Sequence, residues 1–515
     1  MTNETRLRRS SSPHRSWLAI GVGVAVLAAS ACGAGGSSGN GGSREQRDQI
    51  VIALPNEVAS WDYIANPANG PKQVLVLNVI EPLLELKADR TIEPLLAGSY
   101  TVSEDGTTYD FAIREATFHN GEPLTADDVV YSLKYNRTAE VGDVAQAFEA
   151  VKSIDKIDDR HVRVTLKRPS QSFLRGMTGP AGMVIPNDGA ETLGTHPVGT
   201  GPYQFEADQP GVQATLTRYS NHWGEQPYFA KATFRFMTDE NASVGALGAG
   251  DIDMVAALAG DGMLRVDSVS GQDGFDVTMP EVSRVTYLSL NADVEAFKDE
   301  RVRQAIAHAI DRKAIIDGAY AGRQEATCFH DLPPMNKWKE GDCPYPYDPD
   351  RARELLDDAG ISDLTLNFPY LNSGIYLDSV QILADQLKAV GITLDLVPMD
   401  IASYAESVVA NREYQLTQIA GTQKTDAWVC PSGFFTGDCN RDFDTLLDEA
   451  DRASDTEEWA SLRREASEEL SNRAYVIPIA NISEEILHRS DLDGIESFSS
   501  HSEIDLRGMR WASSN

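Results

Sequence analysis

The side chains that could do chemistry are few and scattered. Five cysteines occur in 515 residues, one near the N-terminus and four between residues 328 and 439. Cys328, Cys343, Cys430 and Cys439 have C-x14-C and C-x8-C spacings, unlike compact zinc knuckles, and no histidine pair accompanies them. Disulfides are the expected chemistry if the chain is exported. Three pairings are open. The local one, Cys328–Cys343 with Cys430–Cys439, is expected, because each bridge would clip a loop loosened by Gly, Pro and Asp. The nine histidines form no close pair, so no metal ligand set is expected. Gly35 to Gly39 spells G-x-S-x-G, but neither a strand nor a helix flanks it, as a nucleophile elbow requires. Asp127-Asp128 and Asp357-Asp358 are adjacent residues on helical stretches, so their carboxylates do not face one site. No phosphate loop occurs. The chain is therefore expected to be no enzyme and to need no cofactor.

The remaining cysteine sits in a different setting. Arg6, Arg8, Arg9 and Arg15 precede an apolar run from Trp17 to Ala31, and Leu27-Ala28-Ala29-Ser30-Ala31 leads into Cys32. The run is shorter than the roughly 20 residues that span a bilayer. It reads as a secretory signal peptide, residues 1–32, ending in a lipobox whose Cys32 receives a lipid. Where the common lipobox has Leu, three residues before the cysteine, this sequence has Ala29. Residues 33–47 begin GAGGSSGNGGS, a flexible tether between anchor and folded domain.

Charge excludes one class of partner. The formal net charge is -33. Residues 1–31 carry four Arg and one Glu, so the remainder has 41 basic and 77 acidic residues, a net charge of -36. Such a surface repels phosphate backbones, so no nucleic acid partner is expected.

The elements that must position any site are mixed. Ile50 to Leu54 reads as an opening strand, and Thr107 to Ile113, His161 to Leu166, Ala214 to Thr217 and Ala232 to Phe236 alternate as strands. Thr125-Ala126-Asp127-Asp128 has capping-box form ahead of a helix through Val129 and Leu133. Val302, Ile306 and Ile310 form one helical stripe. Val380, Leu383, Leu387 and Val390 form another, closed by Gly391, and Trp459, Leu462, Ala466 and Leu470 a third. Phe118-His119-Asn120-Gly121 predicts a tight turn with positive φ at Asn-Gly. Gly199-Thr200-Gly201-Pro202 predicts a chain reversal, because strand rather than helix follows it. Arg301, Arg303 and Asp311-Arg312 are expected on the solvent or interdomain side of their helix.

Several of these segments together resemble family 5 of the extracellular solute-binding proteins, the group of oligopeptide-, dipeptide- and nickel-binding proteins. They are YDFAIREATFHNGEPLTADDVVYSLKY (Tyr109 to Tyr135), PVGTGPYQF (Pro197 to Phe205) with Arg218 and Trp223, FKDERVRQAIAHAIDRKAI (Phe297 to Ile315) and VGITLDL (Val390 to Leu396). Glu81-Pro82-Leu83-Leu84, Glu93 to Ala97 and Gly250 to Asp253 support them, in order, over nearly the whole chain after residue 48.

The resemblance implies an α/β, two-lobe periplasmic-binding-protein fold of type II with an extra α+β domain inserted in the first lobe and a two-segment hinge. Lobe I is expected at 48–80, 189–285 and 485–515, the inserted domain at 81–188 and lobe II at 286–484. It implies a binding component of an ABC importer that takes short peptides between the lobes. The partners would be permease and ATPase subunits on separate chains, the membrane through the lipid anchor, and no second copy of this chain. In relatives a carboxylate near a Gly-Trp-x-x-Asp segment grips the ligand's α-ammonium. This sequence reads Gly421-Thr422-Gln423-Lys424-Thr425-Asp426-Ala427-Trp428. The Trp is missing and Asp426 stands one place late, which makes Asp426 and Trp428 candidates rather than matches. Trp61 and Tyr63, in the loop after the first strand, are the other candidate ligand contacts. The departure leaves other small solutes open, such as an oligosaccharide or a nickel complex, and also a cell-envelope regulator with a closed cleft.

Overall fold

The computed structural model describes residues 48–65, 69–87, 91–140, 142–258, 266, 269–270, 274–279, 284–330, 343–372, 376–421, 436–437, 441–453, 455–495 and 503–512. Cys32, Asp426, Trp428, Cys430 and Cys439 lie outside them.

The first lobe is built on a seven-stranded mixed sheet. Its strands run in the order 275–278, 485–489, 254–258, 49–54, 231–236, 213–218, 203–209. The strand Gln49–Leu54 lies at the centre and is parallel to both neighbours. It reads as a continuous apolar run because both of its faces are covered. Ile50, Ile52 and Leu54 enter one core with Tyr203, Phe229 and Phe234. Val51 and Ala53 face a second core with Val244, Leu247 and Leu487.

The second lobe holds a four-stranded antiparallel sheet, ordered 325–326, 476–482, 284–290, 416–421. The apolar helical stripes pack there. Val302 and Ile306 share a core with Leu355, Val380, Leu383 and Leu387. The helix Leu377–Lys388 connects the parallel strands Leu364–Leu371 and Ile392–Met399, the crossover that a parallel pair requires. Gly391 takes φ +94° before the second of them. Cys328 and Cys343 are joined by a disulfide, with Cα atoms 5.6 Å apart.

A third core belongs to residues 83–184. Its antiparallel sheet has the order 97–102, 108–113, 161–166, 151–158 and packs on the helix Ala126–Asn136. At the start of that helix Asp128 Oδ2 accepts from the backbone N–H (2.8 Å) and the hydroxyl (2.6 Å) of Thr125. Its other oxygen accepts from Asn187 N–H at 3.0 Å, tying the helix to the chain that returns to lobe I.

Two expectations need correction. In the turn at Phe118–Gly121 only Gly121 takes positive φ, +89°. The Gly121 N–H donates to Phe118 O at 2.9 Å, so the glycine occupies the last position of the turn rather than its centre. Arg303 and Arg312 do not decorate an outer face. Arg303 is buried, donating to the carbonyls of Phe297 (2.7 Å) and Arg473 (2.8 Å), with its guanidinium 4.0 Å from the Tyr475 ring. Arg312 directs its Nε–H inward to Thr327 O (3.0 Å) and Pro478 O (2.8 Å), and desolvation lowers its pKa to about 10. The apolar stripe of Val302, Ile306 and Ile310 is buried as its period predicts, but long arginine stems reach main-chain carbonyls that no sequence period reveals.

Candidate functional site

The two large sheets are joined by two chain crossings, and sheet register fixes where these lie. In lobe I the parallel strands 49–54, 231–236 and 254–258 end along one edge, at Leu54, Phe236 and Leu258. Glu485 pairs with Leu258, and Thr278 pairs with Ile486. Both strands that connect to lobe II therefore meet it at that same edge. In open α/β sheets this edge, beyond the carboxyl ends of the parallel strands, is where ligands bind. On the lobe II side Arg284 pairs with Ile482, and Val285 pairs with Gly421. Gly421, the first residue of the candidate Gly-x-x-x-x-Asp segment, thus lies one residue from the crossing.

The crossing itself is charged. Ser483-Glu484 separates the strands 476–482 and 485–489, and Glu485 opens the second. Glu485 is fully buried, and Arg323 of lobe II clamps both of its carboxylate oxygens, at 2.6 and 2.7 Å. Glu484 pairs with Arg284, whose pKa is lowered by burial. The Gln324 amide brackets Ser483, donating to its carbonyl (3.1 Å) and accepting from its N–H (2.8 Å). The polypeptide passing between the lobes is thus held by side chains on 323–324. Sequence reasoning missed these residues. The available signal was the pair of carboxylates interrupting an apolar run at 483–485.

The segments that carry the family resemblance converge elsewhere, at the joint between lobe I and the inserted domain. Glu81 is buried; its Oε2 accepts from Thr200 Oγ1–H (2.7 Å) and Trp223 Nε1–H (2.9 Å). Oε1 has no hydrogen-bond partner among the described residues. Burial raises the Glu81 pKa to about 7, against the lowering effect of these donors and of Arg507 and Arg114. The Arg114 guanidinium lies 3.7 Å over the Trp223 ring. Beside them His119 Nδ1 accepts from Gly199 N–H (3.3 Å), which leaves Nε2–H to donate to Gly201 O (3.0 Å). Desolvation depresses the His119 pKa to about 4. Gly199 and Gly201 are required because a Cβ on either would stand 2.0 Å from Val79 O or 2.4 Å from Asn78 O. These motifs build a joint between domains, consistent with the scaffold role expected of them.

Trp61 and Tyr63 lie inside lobe I. Each is 1% exposed; Trp61 donates its indole N–H to Asp208 (3.0 Å) and Tyr63 its hydroxyl to Asn136 (2.9 Å). In this conformation neither ring presents a surface to a ligand. Among the described residues no group of three or more His, Cys, Asp or Glu side chains is arranged to hold a metal ion. No described helix is long and apolar enough to cross a membrane.

Two lobes on a double crossing, with a third domain set into the first, define the two-lobe periplasmic-binding-protein fold of type II. The model of the bacterial extracellular solute-binding proteins, family 5 Middle, matches residues 91–438, and the chain belongs to that family. A Brucella ovis protein bearing the name of an ABC transporter peptide-binding protein is 30% identical over 327 residues. That match covers 60% of this chain and only 60% of the relative's own length. The glutathione-binding protein GsiB of Salmonella typhi is 29% identical over 380 residues, 70% of this chain and 71% of its own. Among solved structures, DppA of Helicobacter pylori in complex with the peptide STSA superposes with a TM-score of 0.76 at 22% identity, covering 90% of this chain and 98% of DppA. NikA of Brucella suis in complex with Fe(III)-EDTA gives 0.78 at 21%, covering 90% and 99%. At that identity the likeness is one of fold.

Proposed function

We propose that this chain is the extracytoplasmic binding component of an ABC importer, which captures a short peptide between its lobes and presents it to a separate permease. The observation that carries this reading is the double crossing at the edge where the parallel strands of lobe I end, in a chain of family 5. A ligand there contacts both lobes, so it favours the closed form by its extra contacts. An extended peptide suits such a groove because its main chain can pair with backbone groups of both sides. The reading keeps lobe I at 48–80, 189–285 and 485–515, the inserted domain at 81–188 and lobe II at 286–484; sheet membership supports this division, save that Arg284 and Val285 already pair within the lobe II sheet. It assigns Asp426 to the ligand's α-ammonium and Trp428 to the groove wall, and leaves Trp61 and Tyr63 a ligand contact only if the loop after the first strand rearranges. It also assigns lipidation to Cys32, a second bridge to Cys430–Cys439, and a monomer tethered to the outer face of the membrane.

The test is a melting-temperature screen of dialysed protein against mixed di- to hexapeptides, with mass spectrometry of whatever co-purifies. A binder at a hundredfold excess of ligand over Kd gains about 2.7 kcal/mol. No shift with any peptide, together with a non-peptide co-purified molecule, would sink the peptide assignment. Consumption of the peptides would instead make the chain a hydrolase. A second reading, the same fold around a non-peptide solute, is favoured by one observation. Solved structures equally similar in fold are complexes with agropinic acid (TM-score 0.76) and Ni(L-His) (0.76), so the architecture accepts other guests. Failure to respond to any solute would leave the regulator with a closed cleft.

A further inference from the structure

Besides the two crossings, lobe II is touched at a third place, by the inserted domain. The segment Arg168–Ser172 leads into the helix Gln171–Gly176, whose Phe173 is buried in the inserted domain's own core. It meets the end of the helix Arg441–Asp451, which packs on lobe II through Phe443. One carboxylate takes most of the contact. Asp451 Oδ1 accepts from the Ser172 backbone N–H at 2.8 Å and from the Ser170 hydroxyl at 3.1 Å, and Oδ2 accepts from Arg168 Nη1. Gln171 Nε2 donates to Ala453 O at 2.9 Å. Arg168 also lies 3.7 Å from Asp448. One turn further on, the Arg175 guanidinium stacks 3.7 Å over the ring of Trp459 on the next lobe II helix, and Arg463 of that helix approaches the same ring at 5.3 Å.

This arrangement is specific. Four donors from one short segment converge on two acceptors, the Asp451 carboxylate and Ala453 O, and a guanidinium covers an indole that is only 9% exposed. Charge-assisted bonds of this kind are directional and are lost together when the surfaces separate. Every donor and acceptor in the arrangement belongs to the protein itself. The inserted domain is fixed to lobe I by the Glu81 joint, so a bond from it to lobe II spans the same gap as the two crossings.

We propose that Asp451 and the segment Arg168–Ser172 form a clasp that holds the inserted domain against lobe II and so sets how much of the unliganded protein is closed. The proposal rests on the two-lobe binding reading, and adds that closure has a component independent of the ligand. A clasp of this kind raises the fraction of binding-competent protein and so tightens apparent affinity without touching the guest. Asp451 is a positioning residue in this scheme.

The experiment uses the whole folded chain without solute. Spin labels at Ile157→Cys in the inserted domain and Tyr347→Cys in lobe II occupy side chains that are 53% and 50% exposed and outside the clasp. Double electron–electron resonance then reads the distance between them. The parent protein is expected to give a dominant short distance. In Asp451→Ala the short population falls about tenfold relative to the long one. Asp451→Asn, which keeps the one oxygen that accepts from Ser170 and Ser172 but loses the negative charge facing Arg168, lies between. Unchanged distances in a folded Asp451→Ala protein overturn the clasp, as does a parent that is already as open as the variant. If Asp451→Ala fails to fold, Arg168→Met removes the ion pair from the other side, and unchanged distances there overturn the proposal equally. Because no ligand enters the measurement, a shift seen in a protein that binds no peptide keeps the clasp and removes the peptide reading.

Discussion

At the scale of single residues, Glu81 and His119 sit at one joint with opposite titration. The Glu81 pKa rises from about 4.5 unfolded to about 7, so its contribution is full below pH 4.5 and is lost as pH rises through 7. The His119 pKa falls from about 6.5 to about 4, so its contribution is present above pH 6.5 and is lost as pH falls towards 4. Between pH 4.5 and 6.5 the two slopes oppose each other. Glu81→Gln keeps the acceptor for Thr200 and Trp223 but cannot ionise. The variant is expected to gain on the parent by roughly 3 kcal/mol between pH 4.5 and 8, as each pKa unit is worth about 1.4 kcal/mol. Urea midpoints at pH 4.5, 6 and 8 measure the difference. A pH-independent gap would show that Glu81 titrates normally. The sequence named the motifs these residues belong to, but not that Glu81, Thr200, Trp223 and His119 meet, because they are up to 142 residues apart in the chain.

At the scale of elements, glycines separate close approach from spare freedom. At Gly199 a Cβ would strike the Val79 carbonyl, which is main chain and cannot swing aside. Gly199→Ala is therefore expected to lose more than about 3 kcal/mol, as backbone clashes in the core do. Gly245 lies inside the helix Glu240–Ala249 with nothing within 4 Å of a Cβ. Gly245→Ala is expected to gain about 0.5–1 kcal/mol from helix propensity and lost unfolded-state freedom. Thermal unfolding of the two variants decides it, and equal melting temperatures would contradict the account. Period-2 and period-3.6 patterns gave the strands near 108–113, 161–166, 213–218 and 231–236 and the helical stripes, because each of those elements has one face to bury. The short strand 325–326 had no such pattern: at two residues it is too brief to show a period.

At the scale of the whole molecule, side-chain bonds that join two bodies secure both the crossing, at Arg323 and Glu485, and the clasp, at Asp451. Glu485 is fully buried, and among the described residues Arg323 is the cation that engages both of its carboxylate oxygens. Removing one partner of a buried pair leaves the other charge stranded. Arg323→Met is expected to cost about 3–5 kcal/mol. The double variant Arg323→Met with Glu485→Leu should recover much of that, since replacing both charges leaves none unpaired. Denaturant unfolding of the single and double variants checks this; equal loss in both would mean that Glu485 has another partner. The clasp at Asp451 lies in the same category of contact, a side-chain bond that joins two bodies, but it is partly exposed and weaker.

The sequence by itself determined what is local or repeated: an apolar run before Cys32, an acidic composition, the buried faces of strands and helices, and the family to which the ordered motifs belong. These are set by periodicity, composition and short-range chemistry, which survive in a one-dimensional chain. The tertiary structure decided which polar groups share a neighbourhood. It placed Trp61 and Tyr63 inside lobe I, turned Arg303 and Arg312 inward, set Arg323 on Glu485, and brought Asp451 to Ser172 across 279 residues of chain. A buried charge must find its partner wherever the fold places one, and sequence separation carries no trace of that distance.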